Sequence, residues 1–488
     1  MIRTGNDYID LTRKMKLPVY YNGNKIEDVT TDPISAREVE LIAGYHDFTD
    51  TRGLYSYNPV VEGQTRTSFL IPSCKEDLKQ KRNVLDLTNE KYFGMRGRLS
   101  PYLDNWYSIL HAHKKIFGSY NGTDYAENVK RLYTCVSTTG KFTTHGISPP
   151  QWDRSSPPAK WDDPFRQIGV VKEAKEGLYV SGCALLCTAP FAHELIYLPK
   201  IDQTTDPRHA IGFIIPTNTP GVEFHLRRSF SQKESVDYPV SQLADELDSV
   251  IIFKNVLVPW SDVIFYNPAN PPANYRESIG LETWFHYQFV IQDMHKLKFL
   301  LALAAAAAHA ISTDGYSSIQ EKIGMIGRTY KIVEGMLVAA EDMPESSSEI
   351  YTPNNGFILA ASHYCQEQLP MIYNQVIDIC GSLAMPTASN CLDVNNPICK
   401  NLLYYLGTKT LSGIDRVKMG NLLWDSLCSE PANRQILFTM FARGPKAQTM
   451  NSFYKKLMSS QMHQDLDQTV KRFTSEERIH SGDLEYRV

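Results

Sequence analysis

The sequence predicts an α+β multidomain protein in which a helical segment, a compact β segment and a second helical segment follow one another. Three observations carry this. Residues 1–143 repeat apolar side chains at helical spacing with few strand-like alternations. Residues 150–270 hold β-rich runs broken by Pro and Gly, and from about 280 the pattern is helical again. A chain of 488 residues is also too long for one core. The expected domains are 1–148 (helical), 149–275 (a central antiparallel β barrel or sandwich) and 276–488 (a C-terminal helical bundle and tail).

Taken in order, SAREVELIAGYHDFTDT (35–51) opens with a candidate serine cap, and KEDLKQKRNVLDLTNEKYFG (75–94) is amphipathic. Arg98-Leu99-Ser100-Pro101-Tyr102 places an arginine and a tyrosine four apart, on one helix face if Pro101 opens the helix. THGISPPQWDRS (144–155) carries a double proline and therefore reads as a stiff loop, loaded with hydrogen-bonding groups. Residues 168–191 turn at Glu176-Gly177 between two strand-forming runs that end at Thr188-Ala189-Pro190-Phe191. The runs 210–230 and 248–260 complete the β segment. Residues 283–312 carry Ala and Leu on nearly every face, as a buried bundle helix does, and helical stretches follow at 317–340, 356–380 and 412–440.

Composition narrows the function. Fifty basic and 54 acidic residues, net −4, leave no electrostatic footprint for nucleic acid or an anionic membrane. The nine cysteines are scattered without a CxxC pair, which argues against a zinc ribbon or a disulfide scaffold. MIRTGNDYIDLTRK is polar and lacks a signal-peptide core, so a cytoplasmic location is expected. The apolar run 299–311 is too short to span a bilayer. Phosphate-loop, dinucleotide-fold, nucleophile-elbow and zincin motifs are absent. His111-Ala112-His113 reads as a pair of helix-surface histidines rather than half a metal site, because residues two apart diverge on a helix.

Six stretches in fixed order carry a resemblance: GRLSPY (97–102), THGISPPQWDRSSPP (144–158), residues 170–199, IGFIIPTNTPG (211–221), DSVIIFKNVLVPWSDV (248–263) and CGSLAMPT (380–387). Over nearly its whole length the chain resembles the 4-hydroxyphenylacetate 3-hydroxylase family, the oxygenase components of two-component flavin-dependent monooxygenases. The resemblance implies an acyl-CoA dehydrogenase-like fold, with an N-terminal α domain, a central β domain and a C-terminal four-helix bundle. It also implies an FADH2-dependent ortho-hydroxylase of phenols that uses O2 through a flavin C4a-hydroperoxide. Reduced FAD would come from a separate NAD(P)H:flavin reductase, and the chain would form a homotetramer.

Residue by residue, the resemblance places Arg98, Tyr102 and His145 around the phenol, with His145 accepting its proton. The local proline is shifted by one from the family's RxPxY form. Gln151, Arg154 and Thr188 match flavin-contacting positions. Gln375 and Gly381-Ser382 match a segment that a neighbouring subunit lays along the dinucleotide, and Arg434 is carried over as a further cofactor contact. Arg208 and His209, in the variable loop 202–210, are expected to engage a polar or anionic substrate tail, and His286 is a further substrate-side candidate.

Rival readings on the same fold are halophenol- or amine-hydroxylating flavin monooxygenases and a non-catalytic flavoprotein. A 4-hydroxybutyryl-CoA dehydratase would need three thiolates and an imidazole for its iron–sulfur cluster. No cysteine occurs between Cys74 and Cys135, and seven residues after His286 and His295 stand Asp293 and Ala302.

Overall fold

The computed structural model describes residues 4–474 except 49–52, 203–204, 232–236, 267–272, 347–349, 386–387, 389–394 and 460. Part of the 202–210 loop and the last two residues of CGSLAMPT thus lie outside the described residues.

The N-terminal third is built on helices Gly5–Met15, Ala36–His46, Lys75–Lys91, Ser100–Ala112 and Tyr125–Thr139. Their ends follow the side-chain chemistry. Thr4 and Asp7 form a reciprocal capping box, and Asp124 accepts from the first amides of Tyr125–Thr139, which stops at Gly140 with φ +70°. Ser35 departs from expectation. It precedes Ala36–His46, but its hydroxyl donates to the Val29 carbonyl instead of capping the helix.

Two sheets make the middle layer. The larger has the order Asn24–Lys25, Val19–Tyr21, Val222–Leu226, Asp248–Pro259, Gly177–Thr188, Gly169–Glu173. The smaller runs Val263–Tyr266, Ile211–Pro216, Glu194–Tyr197, Thr143–Gly146. The pairing is antiparallel except at two places, where strands from the N-terminal segment join in parallel: Val19 opposite Phe224, and His145 opposite Ile196. The N-terminal helical segment thus lends strands to both sheets. Three or four residues of strand are too few to show an alternating pattern. Their pairing energy comes from partners far along the chain.

The C-terminal layer packs Leu281–Ala310, Ser317–Asp342 and Asn355–Cys380 against one another. The expected stretch 412–440 divides into Gly413–Leu427 and Glu430–Phe441, because Ser429 caps a new helix and Pro431 sits in its first turn. The first half of Leu281–Ala310 is buried almost all round, since the N-terminal third covers one side and the other bundle helices the rest. Gly94, at φ +68°, lies so close to this helix that a Cβ would stand 2.3 Å from the Gln292 carbonyl oxygen. A Cβ on Gly97 would meet the Gln292 side chain at 2.4 Å. These two glycines press the segment that leads to Arg98 onto the bundle.

Candidate active site

The seam between the three layers holds Arg98, Tyr102 and His145 together. Leu99 precedes helix Ser100–Ala112, so Arg98 stands outside it and does not share a helix face with Tyr102 as the spacing suggests. The reason is that Pro101 fits only the first turn, which fixes the helix start after Arg98. The guanidinium instead folds back over the Tyr102 ring at 4.1 Å, and lies 5.0 Å from Phe289 and 5.2 Å from Phe438. His145 sits on the strand Thr143–Gly146, not in the loop that follows it. Its ring is 5.3 Å from that of Tyr102 and 5.7 Å from that of Trp106, while Phe285 closes the other side at 6.2 Å from Tyr102.

Buried polar groups are normally paired, and leaving one unpaired costs about 1–3 kcal/mol. Here several gather in one place. Arg98 Nε and Nη1, Ser100 Oγ, the Tyr102 hydroxyl and Trp106 Nε1 are buried without a hydrogen bond, and neither nitrogen of His145 bonds to another residue. Burial, with the Arg98 cation beside it, holds the His145 pKa down at about 3. Burial pushes the Tyr102 phenol up to about 12, against the pull of Arg98. The cluster is thus a dry, buried set of unpaired donors around an imidazole held neutral.

A second network holds this wall in place. Glu246, 1% exposed, accepts from the backbone amides of Gly97 and Arg98 at 2.5 and 2.6 Å. Arg434 grips Asp248 with Nε and Nη2 at 2.8 and 2.9 Å, and its Nη1 lies 3.7 Å from Glu246. Thr188 donates to the same Asp248 at 2.7 Å, and its carbonyl accepts from Thr144, the neighbour of His145. Burial alone would raise the Asp248 carboxyl; the Arg434 and Arg227 cations and the Thr188 hydroxyl hold it below the usual carboxylate range. Thr188 and Arg434 therefore sit as struts of the site.

The remaining candidates lie outside this cluster. Gln151 and Arg154 are exposed on the loop after His145. That loop is tied to the long strand by the Leu185 amide, which donates to the Ser148 carbonyl at 2.7 Å. Leu185 and Trp152 are exposed, and Arg166 stacks 3.7 Å over the indole. Gln375 is half-buried near the end of Asn355–Cys380, and Gly381 and Ser382 are exposed just beyond. Arg208 is held by Asp206 at 2.9 and 3.1 Å, and buried His209 by the Ile168 carbonyl at 3.0 Å. His286 is buried, with Nδ1 2.9 Å from Ser362. His111 is not on the helix surface as read from the sequence: it is buried, its ring 4.6 Å from that of Tyr133.

Sequence reasoning missed Trp106, Glu246, Arg276 and Phe285. Trp106 had a signal, one helical turn after Tyr102. Glu246 had none, because the amides it holds are 148 and 149 positions away.

Three layers in this order, with an unpaired Arg-Tyr-His cluster at their seam, define an enzyme of acyl-CoA dehydrogenase-like architecture. The family profile for the 4-hydroxyphenylacetate 3-hydroxylase N terminal matches residues 4–265, and that for the C terminal matches 274–471. The chain belongs to the 4-hydroxyphenylacetate 3-hydroxylase family. It is 30% identical over 466 residues to the 4-hydroxyphenylacetate 3-monooxygenase oxygenase component of Thermus thermophilus, spanning 93% of this chain and 95% of that one. It is 25% identical over 449 residues to the oxygenase component of 4-nitrophenol 2-monooxygenase of Rhodococcus sp, covering 89% and 85%. A crystal structure of a 4-hydroxyphenylacetate 3-monooxygenase oxygenase component complexed with FAD and 4-hydroxyphenylacetate superposes with a TM-score of 0.90 at 28% identity, over 98% and 99% of the chains. An archaeal 4-hydroxybutyryl-CoA dehydratase shares the fold, with a TM-score of 0.86 at 20% identity.

Proposed function

We propose that this chain is the oxygenase component of a two-component, FADH2-dependent monooxygenase that hydroxylates phenols ortho to the hydroxyl group. The observation that carries the reading is the set of unpaired buried polar atoms at Arg98, Tyr102 and His145. A phenolic oxygen placed among them gives the Arg98 guanidinium and the Tyr102 hydroxyl an acceptor and offers its proton to His145. Because the His145 imidazole is neutral, it is ready to accept. The imidazolium so formed faces the phenolate it has created, which offsets the burial and the Arg98 charge that otherwise disfavour it. Removing the phenol proton raises electron density at the ortho carbon, which is what an electrophilic oxygen atom requires.

The residues present fit reduced FAD. Gln151, Trp152 and Arg154, exposed on the loop that follows the His145 strand, and exposed Leu185, whose amide ties that loop to the long strand, supply amide, cation and apolar groups for it. Bound FADH2 supplies the activated oxygen atom after reaction with O2. The chain's own part is to seat the phenol, move its proton and keep water out; Trp106, Phe285 and Phe289 form the dry lining. The relative from Thermus thermophilus is named an oxygenase component, which implies a separate reductase and supports external delivery of the reduced flavin.

A homotetramer in the cytoplasm is part of the same reading. Gln375, Gly381 and Ser382 would reach a neighbour's flavin from the end of their helix. Helix Pro397–Leu406 buries no residue within its own chain and leaves Ile398, Tyr404 and Tyr405 about four-fifths exposed, as a face covered by another subunit would be. Among the described residues no helix is long and apolar enough to cross a membrane.

The test supplies the purified chain with FAD, a generic flavin reductase, NADH and a panel of phenols. Mass spectrometry should show a product gaining one oxygen atom, and only when the reductase is present. Enzyme-like NADH oxidation by the chain alone would overturn the two-component reading.

Glu246 gives a further prediction. Glu246→Ala is expected to lower stability by about 2–4 kcal/mol, since two charge-assisted hydrogen bonds are lost. It should also weaken phenol binding in the folded protein, while Glu246→Gln, which keeps an accepting oxygen, recovers most of both. Denaturant unfolding and equilibrium titration check this. Wild-type phenol affinity in Glu246→Ala would remove its positioning role.

A further inference from the structure

The site keeps a buried cation without an anion. Arg98 is 6% exposed, its Nε and Nη1 are buried without a hydrogen bond, and among the described residues no carboxylate forms a salt bridge with it. A charge taken out of water is costly unless something answers it.

Rings answer it here. The guanidinium carbon lies 4.1 Å from the centre of the Tyr102 ring, 5.0 Å from Phe289 and 5.2 Å from Phe438. All three distances fall inside the reach of a cation–π contact, about 6 Å. The rings come from three different helices, Ser100–Ala112, Leu281–Ala310 and Glu430–Phe441. Phe289 and Phe438 meet edge to face at 5.4 Å, and Phe285 links Phe289 at 4.6 Å to Tyr102 at 6.2 Å. The rings therefore brace one another as well as the cation.

Carboxylates are not scarce in this region, yet none is turned to Arg98. The other cations on the same two phenylalanines each have one. Arg443, 5.1 Å from Phe289, pairs with Asp293. Arg434, 5.9 Å from Phe438, holds Asp248 at 2.8 Å, and Lys296, 5.8 Å from Phe438, stands 3.9 Å from Asp293. Arg276, a second cation that acts on Tyr102 and His145, is 3.0 Å from Glu282. Glu246 accepts from the backbone amides of Gly97 and Arg98, not from the Arg98 side chain.

We propose that Tyr102, Phe289 and Phe438 form an aromatic cage that holds Arg98 charged and uncommitted until the substrate's phenolate oxygen becomes its counter-ion. Phe289 and Phe438 are then positioning residues that act through Arg98. A carboxylate in their place would quench the cation and repel a phenolate, whereas a ring face attracts the cation and carries no net charge. The proposal rests on the phenol hydroxylase reading and adds how its arginine is kept available.

The test places phenylalanines bearing one, two or three fluorines at position 438 of the full chain. Fluorine drains the negative face of the ring at nearly constant shape, so a mere packing role is left intact. The probe is 4-nitrophenol, whose phenolate absorbs where the neutral phenol does not, so that pH titration of the bound form reads its ionisation. The half-ionisation pH of the bound probe should rise with each fluorine, reaching about one unit at the third, a tenfold loss of preference for the phenolate. Phe438→Leu should raise it at least as far, with a cooperative denaturant transition showing that the variant folds. Ionisation unmoved across the fluorine series would overturn the cage, as would failure of 4-nitrophenol to bind. A fluorine-dependent shift without any oxygenated product leaves the cage standing and removes the hydroxylase reading. Oxygenated product with unmoved ionisation does the reverse.

Discussion

Replacing His145 by alanine is expected to cut phenol hydroxylation by about 10²–10⁴-fold, the usual worth of a positioned general base. Flavin affinity should stay near the wild-type value, because the imidazole lies inside the Tyr102, Trp106 and Arg98 cluster and the groups proposed for the cofactor are six or more residues further on. The variant should also fold. Removing the ring opens a cavity, but it releases two buried nitrogens that bond to no other residue, each an expense of about 1–3 kcal/mol. The two effects have similar size and opposite sign. Single-turnover product formation and flavin titration check the prediction together. Loss of flavin binding with product formation per bound flavin unchanged would transfer His145 from substrate to cofactor duty.

Acid is expected to destabilise the fold through its histidines. His46, His145 and His193 are held down at about 3 and His286 at about 4, with burial the main cause in each. In the unfolded chain these imidazoles titrate near 6.5, so below that pH the unfolded state binds protons that the native state refuses. Their contribution to stability is complete above about 6.5 and falls as pH drops toward 3–4, by up to about 1.4 kcal/mol per pH unit for each histidine. Burial raises the carboxyls of Glu38, Asp104 and Glu194, and proton uptake there opposes part of the loss. A difference measurement separates the two. The stability of His46→Phe relative to wild type should rise by about 1.4 kcal/mol per pH unit between pH 6 and 5, read from denaturant midpoints. A pH-independent difference would rule out His46 as an acid-labile site.

Much of the fold was legible because long helices repeat their apolar residues often enough to be read. The helix at 283–312 was legible from its unbroken Ala and Leu, and the strand pair around Glu176-Gly177 from two strand-forming runs about one turn. Val19–Tyr21 and Thr143–Gly146 were not legible, being strands of three and four residues stabilised by partners far along the chain. At the site, the residue types at 98, 102 and 145 were readable and their geometry was not. The spacing suggested a shared helix face, whereas the fold stacks a cation on a ring. Glu246 and Arg276 could not be found from sequence, because each acts on groups that only the packed layers bring near it.

The register of His145 has a consequence for remodelling the enzyme. Its backbone belongs to a ladder, paired with Ile196, while the groups proposed for the cofactor begin six residues later, at Gln151, on coil that the ladder does not include. The two duties have separate mechanical anchors. On the proposed assignment, exchanging residues 150–158 would alter flavin preference while His145 keeps its aim, and cofactor preference and substrate chemistry could be evolved as independent modules.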